Sequence, residues 1–133
     1  HSETSQFLTF TVGNGEYGVD IMMVREVKGW AETTRLPNTP AYMRGVLNLR
    51  GIIIPIFDLR ARFTAELTVA NDKHVVVILA VGNRTIGLLV DTVSDILTVG
   101  AGDIRNAPES HVAAPERFVC GLIALDGRMV VLL

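Results

Sequence analysis

The chain carries two copies of one pattern, and this repeat constrains its fold more than any other feature. Val12-Gly13-Asn14 returns as Val81-Gly82-Asn83, an offset of 69 residues from Gly13 to Gly82. Tyr17-Gly18-Val19 is answered by Ile86-Gly87-Leu88, and Ile21, Val24 and Val27 are answered by Val90, Val93 and Ile96. Further on, Gly45-Val46-Leu47-Asn48-Leu49-Arg50-Gly51 is answered by Gly121-Leu122-Ile123-Ala124-Leu125-Asp126-Gly127, an offset of 76 from Gly45 to Gly121. Apolar runs follow both blocks, Ile52 to Phe57 and Met129 to Leu133. The copies span residues 6–63 and 74–133, and two small units of one design are expected side by side. Positions where the copies differ are the first places to look for function.

Most segments read as short strands. In Gln6–Val12, Leu8, Phe10 and Val12 fall on one face and Thr9 and Thr11 on the other, the alternation of a half-buried strand. Asn14-Gly15 is a hairpin signal, with Tyr17–Val19 as the return strand. Asp20 is placed to cap a short helix carrying Ile21, Val24 and Val27 at helical spacing, ended by Gly29. After a loop with Pro37 and Pro40, Gly45–Leu49 and Ile52–Phe57 form two strands around an Arg50-Gly51 turn. Pro55 inside the second predicts an edge or a bulge, because proline cannot donate to a ladder. Arg60–Phe63 reads as a helical turn and Thr64–Lys73 as a polar link.

The second copy repeats the plan: strands at His74–Val81 and Ile86–Val90, a short helix at Asp91–Leu97, and an irregular loop over Gly100–Glu116. A hairpin follows, Val119–Leu125 and Arg128–Leu133 around Asp126-Gly127. Many short strands with closely spaced turn signals indicate an all-β architecture. The sequence stops on Val131-Leu132-Leu133, inside an apolar strand, so the natural protein is expected to continue past Leu133.

Composition removes several function classes. Apolar residues make up 49% of the 133, enough for a packed core, and the net charge of −2 gives no basic footprint for nucleic acid. The longest apolar runs, such as Val75–Val81, fall far short of the roughly 20 residues of a membrane span, and no signal-peptide pattern is visible. A single cysteine, Cys120, allows no internal disulfide and reads as a small buried side chain. These features fit a cytoplasmic chain.

No catalytic constellation emerges. Asp91-Thr92-Val93 has the start of an aspartic-protease triplet but not its glycine, and reads better as a helix cap. There is no Gly-x-Ser-x-Gly elbow and no phosphate-binding loop. His74 and His111 have no partners at metal-ligand spacing. The residues that stand out suit binding. Arg50 occupies a two-residue turn where the second copy has Asp126, and a guanidinium on a rigid hairpin can hydrogen-bond a partner's carboxylate or carbonyl. Its alternative role is that of an ordinary solvated turn residue. Ile21, Val24 and Val27 are either core or an apolar stripe left for a partner.

Beyond these features, Tyr17 to Val27, Arg35-Leu36-Pro37-Asn38-Thr39-Pro40 and the block from Arg44 to Arg60, with Asn48-Leu49-Arg50-Gly51, Pro55 and Asp58-Leu59 at its centre, resemble the CheW family. Ile86 to Leu97 resembles it too, and the likeness runs from Gln6 to Leu133. The resemblance implies an all-β fold of two intertwined SH3-like five-stranded β-barrels with short helices, strands exchanged between them, and a C-terminal helix beyond Leu133. It implies a non-enzymatic cytoplasmic adaptor, recruited to membrane-associated receptor arrays. Such an adaptor couples chemoreceptors to the histidine kinase CheA without cofactor, metal, nucleic acid or membrane insertion. Receptor binding maps onto Arg50, Ile21, Val24, Val27, Val75, Val76 and Gly87, with the tip of the receptor's cytoplasmic signalling hairpin in the groove between barrels. Kinase binding, through the CheA regulatory domain, maps onto Thr33 and Arg35 and onto Glu109, Ser110 and His111. Other CheW-like domains are possible ring partners. The same fold also occurs as a regulatory domain of CheA and in CheV-type fusions. A small β-barrel enzyme or ligand-binding barrel is the alternative from another class, and it would need a polar pocket with convergent titratable groups.

Overall fold

A computed structural model describes residues 4–64, 66–105, 121–125 and 127–133. Cys120 and residues 109–111 lie outside them. The described residues form strands and their connections, with one short α-helix and two 3-10 turns. Its strands are β1 (Thr4–Val12), β2 (Gly15–Asp20), β3 (Val24–Gly29), β4 (Met43–Leu49), β5 (Ile52–Asp58), β6 (Val75–Val81), β7 (Arg84–Val90), β8 (Thr92–Gly100), β9 (Ile104–Arg105), β10 (Gly121–Leu125) and β11 (Arg128–Leu132). Helix α1 spans Leu59–Thr64.

The strands form two sheets in two compact units. One unit, His1–Met22 with Val93–Leu133, holds a sheet of order β8-β1-β2-β11-β10-β9 around Phe7, Val99, Ile123, Val130 and Leu132. The other, Met23–Thr92, holds a sheet of order β3-β6-β7-β5-β4 around Leu47, Ile54, Ile56, Val76, Ile78 and Leu89. Each sheet joins a hairpin from one sequence copy to a hairpin from the other by a parallel pairing. β2 meets β11 at Tyr17↔Val131, and β5 meets β7 at Phe57↔Leu88.

Several local expectations are corrected. The first hairpin closes on Gly13-Asn14, with Val12 opposite Gly15, because Gly13 supplies the positive φ (59°) that the first loop position needs. Thr9, expected on an open face, is fully buried; its hydroxyl meets the Asp95 carboxylate and backbone of β8. Asp20 does cap, accepting the Met22 N–H at 2.9 Å, but the helix is a single 3-10 turn, Ile21–Met23. Val24 and Val27 lie on strand β3, and the helix expected at Asp91–Leu97 is strand β8.

Pro55 is not on an edge strand, since β5 runs between β7 and β4; the β4–β5 pairing has its irregularity one residue away, where Arg44 is inserted opposite Ile56 and Phe57. Val46, its partner on β4, exchanges both backbone hydrogen bonds with Thr34 on the other side of β4. Val46↔Pro55 is therefore a non-hydrogen-bonded pair. The missing N–H points toward the β7 side, where the ladder begins one residue later at Ile56.

The Thr34 bridge depends on Gly45, whose φ is +141°. A Cβ there would overlap the Thr34 carbonyl oxygen, a backbone atom that cannot swing away. Gly45→Ala is therefore expected to cost about 2–3 kcal/mol through strain and overpacking, read as a lowered midpoint in thermal or urea unfolding.

Asp58 ends β5 and opens α1. Its side chain is fully buried and accepts from Ala61 N–H (3.2 Å), Thr68 N–H (2.8 Å) and Thr68 Oγ1 (2.8 Å). Arg44 Nη1 stands 3.5 Å away, donates to the Thr68 carbonyl at 2.8 Å, and its guanidinium lies 5.4 Å from the Trp30 ring centre. One carboxylate thus caps the helix, pins the link after it, and fixes an arginine of β4 against an aromatic ring.

Candidate functional site

The β4–β5 hairpin has the tightest connection available, Leu49 opposite Ile52 with Arg50-Gly51 between them. Arg50 has φ 51° and Gly51 φ 87°, the paired positive values of a type I′ turn. Glycine suits such a turn, whereas a long β-carbon-bearing side chain does not. A non-glycine residue held in the left-handed region is a recognised mark of a functional position. The Arg50 side chain is 72% exposed, and Nη2 donates to Glu26 Oε1 at 2.6 Å. The hydrogen bond and charge of Arg50 hold the Glu26 carboxyl below the usual carboxylate range. This pair joins the β4–β5 hairpin tip to β3, strands at or near opposite ends of the sheet order. The contribution of Glu26 to stability is present above the unfolded carboxylate range and is lost as pH falls through its lowered folded value. In a carboxyl-resolved NMR titration, Glu26 is expected to titrate below a free glutamate, and Arg50→Ala is expected to return it to the ordinary range.

Val24 and Val27 come onto one face by an irregularity. Val24 pairs with Leu79, Glu26 with Ile78 and Val27 with Val77, so one extra residue, Arg25, is inserted. Leu79 and Val77 share a face of β6, and the bulge brings Val24 and Val27 onto that same face although they are three apart. Val27 is 44% exposed there, and Val24 is half-buried. Ile21 lies in the 3-10 turn, half-buried, beside Asp20 and Met22.

The other expected receptor residues sit deeper. Val75 is half-buried at the start of β6, paired with Gly29 of β3. Val76 is core, and a Cβ at Gly87 would come within 2.5 Å of Ile56 Cδ1 and 3.0 Å of Val76 Cγ1. Val76 and Gly87 therefore set how closely β5, β6 and β7 pack. The structure joins Arg50 to a residue not singled out in the sequence, Glu26, and leaves Ile52 (57% exposed) and Ile53 (60% exposed) open at the start of β5, next to the turn; Val27 is exposed on β3 on the face opposite to Glu26. Ile53 neighbours the buried Ile54 and must point away from the core. The run Ile52-Ile53-Ile54 carried that signal, since a strand cannot bury three consecutive side chains on one face.

The second copy shows what is particular to Arg50. Asp95 matches Glu26 at the offset of 69, and it too meets an arginine, Arg128 Nη2 at 3.5 Å. Arg128, at the start of β11, is also bonded to both carboxylate oxygens of Glu16 and is 34% exposed. The Thr9 hydroxyl, and then the charge of Arg128, lower the Asp95 carboxyl below its usual range. One copy locks its arginine between two acids; the other displays it on a turn with one.

Thr33 and Arg35 line an open cleft of about 260 Å³ with Trp30, Glu32 and Arg44. Thr33 Oγ1 donates to the Arg44 carbonyl at 3.1 Å, which fixes the cleft wall to β4. Glu109, Ser110 and His111 lie outside the described residues. Among the described residues no group of three or more His, Cys, Asp or Glu is placed to hold a metal ion, and no helix is long and apolar enough to cross a membrane. Chemically, the grouped residues offer hydrogen bonds, charge and apolar area to another protein.

The family model of the CheW-like domain matches residues 6–133. The chain is 46% identical over 127 residues to the chemotaxis protein CheW of Klebsiella aerogenes, covering 96% of this chain and 76% of that protein. It is 33% identical over 125 residues to CheW of Bacillus subtilis, covering 94% and 80%. The crystal structure of the scaffolding protein TtCheW from Thermoanaerobacter tengcongensis superposes with a TM-score of 0.88 at 29% identity, over 98% of this chain and 88% of that one. The shared architecture is the pair of SH3-like barrels. With a family model matched over nearly its whole length and relatives well above 30% identity, this chain belongs to the CheW family.

Proposed function

We infer that this chain is a non-enzymatic adaptor of chemotaxis signalling, coupling the cytoplasmic signalling tip of chemoreceptors to the histidine kinase CheA. The observation that carries this reading is Arg50, an exposed guanidinium on a type I′ turn of a CheW-family chain, braced by Glu26, with Ile52 and Ile53 exposed next to the turn and Val27 exposed on β3. The apolar side chains would bury area against a receptor helix, worth roughly 1.5–3 kcal/mol for each large side chain fully buried. Arg50 would set register by charge-assisted hydrogen bonds to carboxylates or carbonyls of that helix. Val24 and Val75 are proposed as further receptor contacts of the same unit and Ile21 as one of the other unit, while Val76 and Gly87 support the β5–β6–β7 packing from the core. The cleft at Thr33 and Arg35 is the proposed contact for the regulatory domain of CheA, together with Glu109, Ser110 and His111. Further CheW-like domains would join through the same type of contact in rings. Signalling follows if receptor conformations differ in how well they hold adaptor and kinase together, and linked weak contacts reach useful strength through multivalency.

The test is co-sedimentation with receptor signalling-tip bundles, with and without CheA. Wild type is expected to bind and to recruit the kinase. Val27→Asp, which sets a charge on the apolar surface, is expected to fold, because position 27 is 44% exposed, and to lose receptor binding about ten-fold or more. Wild-type protein that neither binds tips nor recruits kinase would remove the adaptor reading.

A further inference from the structure

We propose that Asn48 is a positioning residue for Arg50, and that it holds the hairpin turn in the one conformation that presents the guanidinium. The proposal rests on the reading of Arg50 as a partner contact and names the device that makes the contact possible. Arg50 is one of two described non-glycine residues with positive φ, the other being Asn38. Asparagine tolerates that region through local hydrogen bonding, while arginine has no such compensation. Without a brace, the Arg50-Gly51 turn would sample other conformations, and Arg50 would point elsewhere in a share of the molecules.

The brace is visible. Asn48 is exposed on the last part of β4, opposite Ile53, and its Oδ1 accepts the Gly51 N–H at 2.9 Å. This bond spans the turn from one side to its second central residue and closes a ring that contains Arg50. Glu26 then takes the end of the arginine side chain at 2.6 Å. Asn48 fixes the backbone and Glu26 the side chain, so both ends of Arg50 are defined before any partner arrives. Preorganisation of this kind lowers the ordering cost of binding.

The sequence repeat supplies a natural control. The matching turn of the second copy is Asp126-Gly127, and the position matching Asn48 is Ala124. In the sequence, aspartate, which matches Arg50, is among the residues that enter the left-handed region readily, and alanine at position 124 has no side-chain acceptor. The asparagine occurs in the copy whose turn residue is ill suited to its conformation, and alanine occurs in the other.

Three measurements test this on the full chain: Gly51 amide hydrogen exchange, the Arg50 three-bond HN–Hα coupling that reports φ, and affinity for receptor signalling-tip bundles. In Asn48→Ala, Gly51 exchange is expected to rise and the coupling to move away from its positive-φ value. Loss of one ordinary hydrogen bond reduces the competent population, and with it the affinity, by about five-fold. Asn48→Asp keeps the acceptor and is expected to restore all three. In an Arg50→Ala background, Asn48→Ala is expected to cost no further affinity. If Asn48→Ala binds like wild type while Arg50→Glu does not, the positioning role is overturned and the site reading stands. If Arg50→Glu itself binds like wild type, the site reading fails. Exchange and coupling then decide alone: unchanged values overturn the positioning role, and shifted ones retain it.

Discussion

Asp58→Ala is expected to bring the protein close to unfolding at ordinary temperature. The carboxylate is fully buried and serves Ala61 N–H, Thr68 N–H and the Thr68 hydroxyl, with Arg44 3.5 Å away. Alanine would leave those donors without their acceptor and a largely buried guanidinium without its counter-charge. Removing one partner from such a network costs about 3–5 kcal/mol, against a total stability of about 5–15 kcal/mol for a typical domain. Urea unfolding should show a large fall in midpoint. Asp58→Asn, which keeps one carbonyl acceptor and the approximate shape, is expected to lose clearly less. Equal losses in the two variants would mean that the charge, rather than the hydrogen bonds, holds the link to β5.

Arg50→Glu is expected to leave the fold intact and to abolish measurable binding to receptor tips. The side chain is mostly exposed and its ion pair with Glu26 is a solvent-screened surface pair, so stability should barely move. At the surface the change is large: a fixed cation becomes a second carboxylate beside Glu26, repelling any acidic partner group. Arg50→Asn sharpens the test. Asn-Gly is the preferred sequence of a type I′ turn, and an ordinary residue in the left-handed region costs about 1–2 kcal/mol. Melting temperature is therefore expected to hold or rise in Arg50→Asn while binding falls, and wild-type binding should weaken with added salt. If binding by Arg50→Asn equalled wild type, the guanidinium would have no role in the contact.

Much of this molecule was legible in its sequence, and the exceptions have identifiable causes. The repeat, the four hairpins and the Arg50-Gly51 turn were readable because glycine and alternating apolar residues act locally. The helix expected over Ile21–Val27 was misread because a bulged strand also places residues three apart on one face, and the two periods cannot be told apart over one turn. Glu26 was missed because its partner lies 24 residues away in sequence; only alignment of Glu26 with Asp95 between the copies hinted at a shared role. Val76 and Gly87 could not be assigned to core or surface because β6 buries side chains on both faces, from Val76 to Leu79, and alternation vanishes. Asp58 gave one clue, an acid between an apolar strand and a short helical pattern, but its ties to Thr68 and Arg44 depend on the loop path.

The parallel pairings have a consequence for the order in which the protein is made. The unit Met23–Thr92 is continuous, so all five of its strands are available to one another once β7 has been synthesised. The other unit is split: among the described strands, β1 and β2 are made before all others, while β11, which pairs with β2, follows all the rest. Until then the edge of β2 that β11 covers stays open, and open strand edges are where newly made chains pair wrongly. The late, long-range closure of β2 on β11 is the slow type of contact to form. A ribosome-bound chain halted before β10 would therefore carry a folded middle and an exposed first hairpin, the form most in need of chaperone cover.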